Sequence, residues 1–481
     1  MPPIHYGAKV RRLRIGQGLT QAALADRLGI SATYLNLIEN GRRRLTPDIL
    51  IRLARTFALD LRVFGAEEDA RLMADLEEVF GDPLFEGAPV GTVDAEALVV
   101  ERPEVARAVI RLHEAYAAAR SSVESITAHA LDVPEIAALD RVRLSSEQVS
   151  EFVQVRMNYF PELEEAAERL WQDGGLDRDG LYGGLVGYLE HRHGVRVRIL
   201  KVGEMRGAVR RYDAVRRELL LSEILRRGSR NFQLATQVGL LSFGSLIGRL
   251  AEAPELTTDE SRALGRLGLA GYFAAAVLMP YGDFLRNTEE VRYDVELLGH
   301  RFRAGWEQIC HRLTTLRRPG SEGVPFHFAR VDIAGNISKK FSATSVHFPR
   351  FSGLCPLWNV HAAFLQPGKI RIQLSRLPDG NALFSVARTV QRHAGDYHQP
   401  TVLYSVGIGC DVTEARRLVY ADGIDLTNLA AAVPIGITCR LCERTNCQAR
   451  AFPSLQYPLR IDENVRGISF FAPAGETTVK G

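Results

Sequence analysis

Over residues 8–57 apolar positions recur at helical spacing between polar punctuation, a pattern that predicts four short helices. Residues 8–14 form the first. Thr20-Gln-Ala-Ala-Leu-Ala-Asp-Arg-Leu-Gly29 forms the second, with Leu24, Ala25 and Leu28 on one face and Gly29 as its stop. Ser31 is placed to cap a third, Ala32-Thr-Tyr-Leu-Asn-Leu-Ile-Glu-Asn, which Gly41 closes. A fourth opens at Pro47 and buries Leu50, Leu53, Ala54 and Phe57. Val105, Ala108, Val109, Leu112, Ala115, Tyr116 and Ala119 give residues 102–123 a helical stripe that suits either a dimerisation arm or packing onto the protein's own body. Residues 145–300 mix periods. A long helix is expected over 151–171, strands over 195–202 and 218–221, and a buried helix over 232–246. Val195-Arg-Val-Arg-Ile alternates as a half-buried strand should.

The chain has 481 residues, which suggests about three domains, and its 46% apolar and 24% charged residues are an ordinary globular balance. No apolar run reaches the roughly 18 residues that span a bilayer, and Met-Pro-Pro-Ile-His-Tyr does not read as a secretory signal, so a cytoplasmic protein without membrane contact is expected. Charge changes this picture more. The net +3 hides a head, residues 1–65, with eleven Lys/Arg against four Asp/Glu; residues 66–104 reverse the sign with twelve acids against two arginines and carry Gly81-Asp-Pro and Gly87-Ala-Pro. A first domain boundary belongs there, and a basic head on an acidic body is the footprint of a nucleic-acid module.

Two amphipathic helices joined by a short glycine turn inside that head follow the helix-turn-helix plan. Ser31, Thr33 and Asn36 stand where short polar side chains reach base edges, Gln21 can meet a phosphate, and Arg42, Arg43 and Arg44 suit backbone contacts. Leu19-Thr-Gln-x-x-Leu-Ala-x-x-Leu-Gly-Ile-Ser-x-x-Tyr-Leu-Asn-x-Ile-Glu resembles the XRE, or phage Cro/repressor-type, family over residues 7–63. One such unit makes a small interface, so a homodimer on a double-stranded operator with inverted half-sites is expected.

Two other clusters carry chemistry. Arg206, Arg210, Arg211 and Arg217 crowd the expected strands beside Tyr212, and could hold an anionic ligand such as a nucleotide phosphate or remain ordinary exposed charges. Cys439, Cys442 and Cys447 form Thr438-Cys-Arg-Leu-Cys-Glu-Arg-Thr-Asn-Cys, while Cys310, Cys355 and Cys410 are scattered. Three close thiols need a fourth ligand, and Cys355 in Gly353-Leu-Cys-Pro-Leu-Trp and Cys410 in Val406-Gly-Ile-Gly-Cys-Asp both sit in sequences that read as glycine-rich turns. Spacing does not choose between them, nor between an iron–sulfur cluster, zinc and unligated thiols.

Asn231-Phe-Gln-Leu-Ala-Thr-Gln-Val-Gly-Leu resembles the zinc helix of the ImmA/IrrE peptidase-like family, Phe-x-x-Ala-His-Glu-x-Gly-His, at the scaffold positions only. Thr236, Gln237 and Leu240 replace the two histidine ligands and the glutamate base. The family's acidic ligand is also missing, because residues 267–279, which include Ala270-Gly-Tyr-Phe-Ala-Ala-Ala-Val-Leu-Met-Pro280 up to its proline, hold no acid. No catalytic residue is therefore expected, although active members of that family cleave a repressor.

His311-Arg-Leu-Thr-Thr-Leu-Arg-Arg-Pro-Gly, Asp332-Ile-Ala-Gly-Asn-Ile-Ser-Lys-Lys, Cys355-Pro-Leu-Trp-Asn-Val-His and Cys439-Arg-Leu-Cys-Glu-Arg-Thr-Asn-Cys-Gln-Ala-Arg-Ala-Phe-Pro resemble the short-chain fatty acyl-CoA regulator (ScfR) family. The resemblance implies a transcription factor that responds to a short-chain acyl-CoA, acetyl- or propionyl-CoA, and carries a [4Fe-4S] cluster in its tail, with zinc as the alternative. The fold class expected is multidomain. Residues 1–65 are an all-α helix-turn-helix head and 66–144 an acidic linker with a helical segment open to dimerisation or to packing on the body. Residues 145–300 are an α+β, zincin-like, non-catalytic middle domain, and 301–481 an α+β C-terminal sensor domain. The rival reading is a redox-sensing regulator that uses the cysteines and binds no metabolite.

Overall fold

The structure, a computed structural model, describes residues 6–40, 42–43, 45–57, 66–85, 92–129, 136–348, 353–392, 398, 401–440, 442–453 and 469. Two units divide the chain, one built mainly from residues 1–124 and the other mainly from residues 125–453.

In the first unit the helices are α1 (Tyr6–Gly16), α2 (Gln21–Leu28), α3 (Ala32–Glu39) and α4 (Pro47–Phe57), followed by α5 (Ala66–Phe80), α6 (Thr92–Glu101) and α7 (Pro103–His129). Thr20 Oγ1 accepts the Ala23 N–H and caps α2; Gly29 ends it in the left-handed conformation at φ 64. Val10, Leu24, Ala25, Leu28, Leu35, Ile38, Ile49 and Leu53 make one small core. Leu72, Leu76, Val79, Ala95, Val99, Ala106 and Ile110 make a second. The second core settles the stripe on α7. Its buried face carries Ala106, Ile110 and His113, whereas Val105 (46% exposed), Leu112 (72%) and Tyr116 (37%) face outward. Ala119 lies among residues whose side chains are outside the described set.

The second unit opens with α8 (Ile136–Val155), α9 (Pro161–Asp173) and α10 (Leu181–His193). The single helix expected over 151–171 is thus two. Pro161 starts a helix well but cannot continue one, and Met157 and Asn158 turn the chain with φ of 50 and 51. Next come β1 (Arg196–Leu200), α11 (Val202–Met205), β2 (Arg210–Asp213) and β3 (Glu218–Ser222), arranged as a sheet of order β1-β3-β2 with β1 parallel and β2 antiparallel to β3. The helix expected over 232–246 starts earlier and breaks at Phe243, giving α12 (Arg227–Ser242) and α13 (Gly244–Leu250). α14 (Asp259–Leu278), α15 (Tyr281–Glu290), α16 (Val295–Phe302) and α17 (Trp306–Leu313) complete the helical part.

β4 (His327–Asp332), β5 (Ile337–Ser342), α18 (Asn359–Ala362), β6 (Arg371–Arg376), β7 (Ala382–Arg392), β8 (Val402–Asp411) and β9 (Val433–Pro434) follow. They build a six-stranded sheet of order β5-β4-β8-β7-β6-β9, antiparallel except for the β6–β9 pair. Side chains alternate across a strand, so each strand serves two cores. Phe328, Phe384, Val386, Val406, Ile408 and Cys410 join α9, α12, α14 and α17 in the larger core. Ala329, Val331, Leu383 and Ala387 on the other face pack with Cys355, Trp358, Val360 and Ile435 in a smaller one. The sheet therefore shares its main core with the helices of residues 145–313. Among the described residues no single helix is long and apolar enough to cross a membrane, and α14, part of a bent apolar pair with α15, has its residues 272–278 buried inside the protein.

Candidate functional site

Helix α3 is the DNA-reading candidate. Thr33 and Asn36 are exposed on it, and Arg42 and Arg43 are exposed beyond its end, while Arg44 lies outside the described residues. Ser31 is exposed too, but its Oγ is committed to capping α3 by accepting the Tyr34 N–H at 3.1 Å. Gln21 does not stand alone either. Its Nε2 donates to Glu39 at 2.7 Å and to Asn36 Oδ1 at 3.3 Å, which ties the first turn of α2 to the side of α3. Glu39 is buried and takes both forks of Arg14, at 2.7 and 3.0 Å. That pair holds α1 against α3 and raises the hold of Arg14 on its proton, chiefly through the hydrogen bond to Glu39. The reading helix is thereby fixed before it meets a ligand.

On α12 the scaffold of a zinc helix persists without its ligands. Thr236 turns back to donate to Phe232 O at 2.7 Å, a bond internal to the helix. Gln237 is 3% exposed, and Leu240 packs against the larger core. Gly239 has a packing reason, since a Cβ there would lie 2.8 Å from Phe273 of α14. A helix of this type would need nitrogen or carboxylate donors at positions 236 and 240, and the side chains present offer a hydroxyl and a hydrocarbon.

The strand arginines are not gathered as the sequence suggests. Arg210 and Arg211 are neighbours in β2 and point to opposite faces. Arg211 is exposed and reaches Met205 O at 3.4 Å. Arg206 is exposed at the end of α11, in the left-handed conformation at φ 48. Tyr212 is half-buried against the larger core. Arg210 shares its face with Tyr212, and its Nη1 is buried without a hydrogen-bond partner among the described residues. Burial loosens its hold on its proton. The Oδ1 of Asn231, on α12, is likewise buried and unpartnered, a position that sequence reasoning missed because nothing in a lone asparagine signals it.

The cysteines sort cleanly. Cys355, Cys439, Cys442 and Cys447 line one small cavity with Pro434, Gly436, Thr438, Arg444, Ala449 and Arg450. Cys410 is not there. It lies in β8 opposite Phe384, not in a turn, and points into the larger core, so the sheet itself separates it from the other thiols. Burial, with Asp411 and Glu414 nearby, pushes the Cys410 thiol up, away from the thiolate a metal needs. Cys310 is buried in the same core, and none of the six cysteines forms a disulfide.

Four thiols on one wall are the donor set that zinc and iron–sulfur centres share. Among the described residues no group of three or more His, Cys, Asp or Glu side chains is gathered closely enough to hold a metal ion. Gly436 is required on its wall, since a Cβ would stand 2.8 Å from Cys442 Sγ. The Cys355 N–H donates to Ile437 O at 2.9 Å, bringing the distant cysteine to the loop of the other three. Burial pushes the Cys355 thiol up, against the pull of backbone N–H groups at Gly436 and Leu357. The Ala451 N–H reaches Cys439 Sγ at 3.5 Å. Arg444 and Arg450 were missed in the sequence, where the only signal is that arginines alternate with the cysteines.

Comparison with known proteins follows this division. Residues 10–64 match a helix-turn-helix family, 190–314 the IrrE N-terminal-like domain, and 315–471 the family described as short-chain fatty acyl coenzyme A regulator, C-terminal. The chain is 41% identical over 458 residues to the HTH-type transcriptional regulator PrpR of Mycobacterium tuberculosis, covering 95% of this chain and 93% of that protein. It is 40% identical over 472 residues to the HTH-type transcriptional regulator RamB of the same species, covering 98% of each. It is 38% identical over 468 residues to the propionyl-CoA carboxylase regulator of Cereibacter sphaeroides, covering 97% of this chain and 98% of that protein. A solved structure described as a Mycobacterium tuberculosis transcriptional regulator superposes with a TM-score of 0.65 at 42% identity, covering 68% of this chain and 99% of that one. With a DNA-reading head, an IrrE-like middle and a cysteine-bearing tail in one order, this chain belongs to the short-chain fatty acyl-coenzyme A regulator family of helix-turn-helix transcriptional regulators.

Proposed function

We propose that the protein binds operator DNA as a homodimer and that a short-chain acyl-CoA, acetyl- or propionyl-CoA, changes that affinity, controlling genes of short-chain fatty acid metabolism in the cytoplasm. The observation that carries this reading is the preserved but unliganded zinc helix, in which Thr236, Gln237 and Leu240 occupy the reactive positions of an otherwise intact fold on the chain that bears the DNA head. A peptidase frame without its metal ligands is suited to binding rather than cleavage. Arg210 and Asn231 supply a buried donor and a buried acceptor with no partner of their own, the kind of groups a phosphorylated, amide-bearing ligand satisfies. The name of the Cereibacter relative supports the metabolite class.

Dimerisation draws on α7, whose Val105, Leu112 and Tyr116 form an exposed apolar row beside the head. The effector acts by preferring one of two arrangements of the dimer, and its differential affinity sets how far DNA binding shifts. The cysteine cavity takes a [4Fe-4S] cluster, held by Cys355, Cys439, Cys442 and Cys447, with zinc as the alternative metal. When bound, such a cluster supplies a rigid cross-link that can also be oxidised.

The test is binding of the full-length, anaerobically purified protein to the promoter of its own gene, titrated with acetyl-CoA, propionyl-CoA and free CoA while the visible spectrum is recorded. A brown protein whose DNA affinity changes with one thioester supports the reading. Indifference to all three thiols and thioesters removes the effector, and affinity lost only on oxidation transfers control to the cysteines.

A further inference from the structure

Regular structure is sparse around the cysteine cavity, and one guanidinium fixes the path of the loop. Arg450 is 5% exposed. Its Nη1 donates to Cys439 O at 2.7 Å and Phe452 O at 3.4 Å, and its Nη2 donates to Cys442 O at 2.9 Å and also to Arg444 O. Its own carbonyl accepts the Ser469 hydroxyl at 2.9 Å. Two of these four acceptors are the carbonyls of cysteines that line the cavity, and Arg450 lines it as well. Among the described residues no carboxylate forms an ion pair with Arg450, so carbonyl oxygens solvate its charge without neutralising it.

That isolated cation has a natural counterpart. Four thiolates outweigh the positive charge of a zinc ion or of an iron–sulfur core, so a loaded cavity carries excess negative charge in a partly buried place. The planar fork of arginine can hold several carbonyls in fixed directions, which a lysine ammonium cannot. Around it, Arg444 Nη2 donates to Arg376 O at 2.7 Å and anchors the same loop to β6.

We propose that Arg450 is the positioning residue of the cysteine site: its fork sets the Cys439 and Cys442 backbones in metal-ready directions, and its charge offsets the excess negative charge of the bound centre. This rests on the reading that the cavity holds a metal centre. Arg450 touches no metal in this scheme and acts through the loop and through its field.

The experiment uses full-length wild type, Arg450→Met and Arg450→Lys, purified anaerobically. Iron, acid-labile sulfide and zinc per chain are measured, then the rate of metal release to a chelator, then the reduction potential by titration followed with electron paramagnetic resonance. Far-UV circular dichroism and tryptophan fluorescence verify folding. Arg450→Met is expected to release metal about 10- to 100-fold faster, the usual cost of removing a group that orients metal ligands. Arg450→Lys keeps the charge but loses the fork, so it releases metal at an intermediate rate. Its potential stays near wild type, while that of Arg450→Met moves to more negative values because the reduced, more negative cluster has lost its nearby cation.

Wild-type release and potential in both variants overturn the assignment. If Arg450→Met does not fold, wild-type release in Arg450→Lys overturns the clamp by itself, and if the metal is zinc the release rates decide. A wild-type protein carrying neither iron nor zinc overturns the metal reading and this assignment together, an outcome distinct because it appears without any substitution.

Discussion

Glu164→Gln tests what holds the helical part of the second unit together. Arg312 on α17 is fully buried and Glu164 on α9 is 1% exposed, with two bonds between them at 2.6 and 2.9 Å. Tyr272 on α14 donates to the same carboxylate at 2.6 Å, and Arg312 also donates to Met279 O at 3.1 Å and Thr315 Oγ1 at 2.9 Å. Three helices thus meet at one ion pair. Burial disfavours the charge on Arg312, and the Glu164 carboxylate more than offsets this, so the guanidinium holds its proton more tightly than usual. Glutamine keeps the shape and an acceptor but leaves a buried cation without its counter-charge, which costs about 3–5 kcal/mol. With a slope of about 3 kcal/mol per M, the urea midpoint falls by about 1–1.7 M. The three tryptophans, Trp171, Trp306 and Trp358, all lie in the second unit, so their fluorescence reports this transition without the DNA head. Replacing the whole set, with Glu164→Leu, Arg312→Met and Tyr272→Phe, recovers part of the loss because no charge is left buried and unpaired, although the Phe160 N–H and the Met279 carbonyl lose their side-chain partners. A Glu164→Gln protein within about 1 kcal/mol of wild type, or a triple variant worse than the single one, would refute the argument.

Four further outcomes are expected. Burial would raise the Glu307 carboxyl, but Lys339, Arg330 and Arg392 hold it at about 2, below its unfolded value; its contribution is therefore present above about pH 4.5 and lost as pH falls towards 2, and acid unfolding of Glu307→Gln should be flatter in that window. Burial lowers His311 to about 4 and His327 to about 3, so both are neutral when folded and withdraw stability as pH drops from about 6.5; urea midpoints measured from pH 7 to 4 should fall, and a pH-independent midpoint would contradict the buried neutral histidines. Cys355→Ser is expected to lose bound metal and Cys410→Ser to keep it, read as metal per chain; retention in the first would mean the cavity is not the site. In the head, Ser31→Ala removes the α3 cap and destabilises by about 0.5–2 kcal/mol in thermal melts, whereas Asn36→Ala loses the exposed hydrogen bonds from Gln21 and Asn40, costs at most about 1 kcal/mol of stability, and relaxes sequence preference by about 1–3 kcal/mol in DNA-binding assays.

The sequence by itself determined whatever depends on local order. The four head helices and their caps follow from Thr20, Gly29, Ser31 and Pro47, because capping and helical periodicity are short-range effects. The missing zinc ligands were legible for the same reason, since an i, i+4 motif carries its geometry within one helix. The tertiary structure decided what depends on which strands and loops meet. Cys355 and Cys410 look alike in sequence, yet an intervening sheet turns one towards the cysteine loop and the other into the larger core. Arg206, Arg210 and Arg211 cluster in sequence, and the alternation of a strand together with a left-handed turn separates them. Arg450 gains its place only when the loop folds back so that its fork meets the carbonyls of residues 439, 442 and 444. Hydrogen bonds to backbone carbonyls leave no mark on the identity of the residues that accept them, so a site assembled from such contacts appears only when the chain is folded.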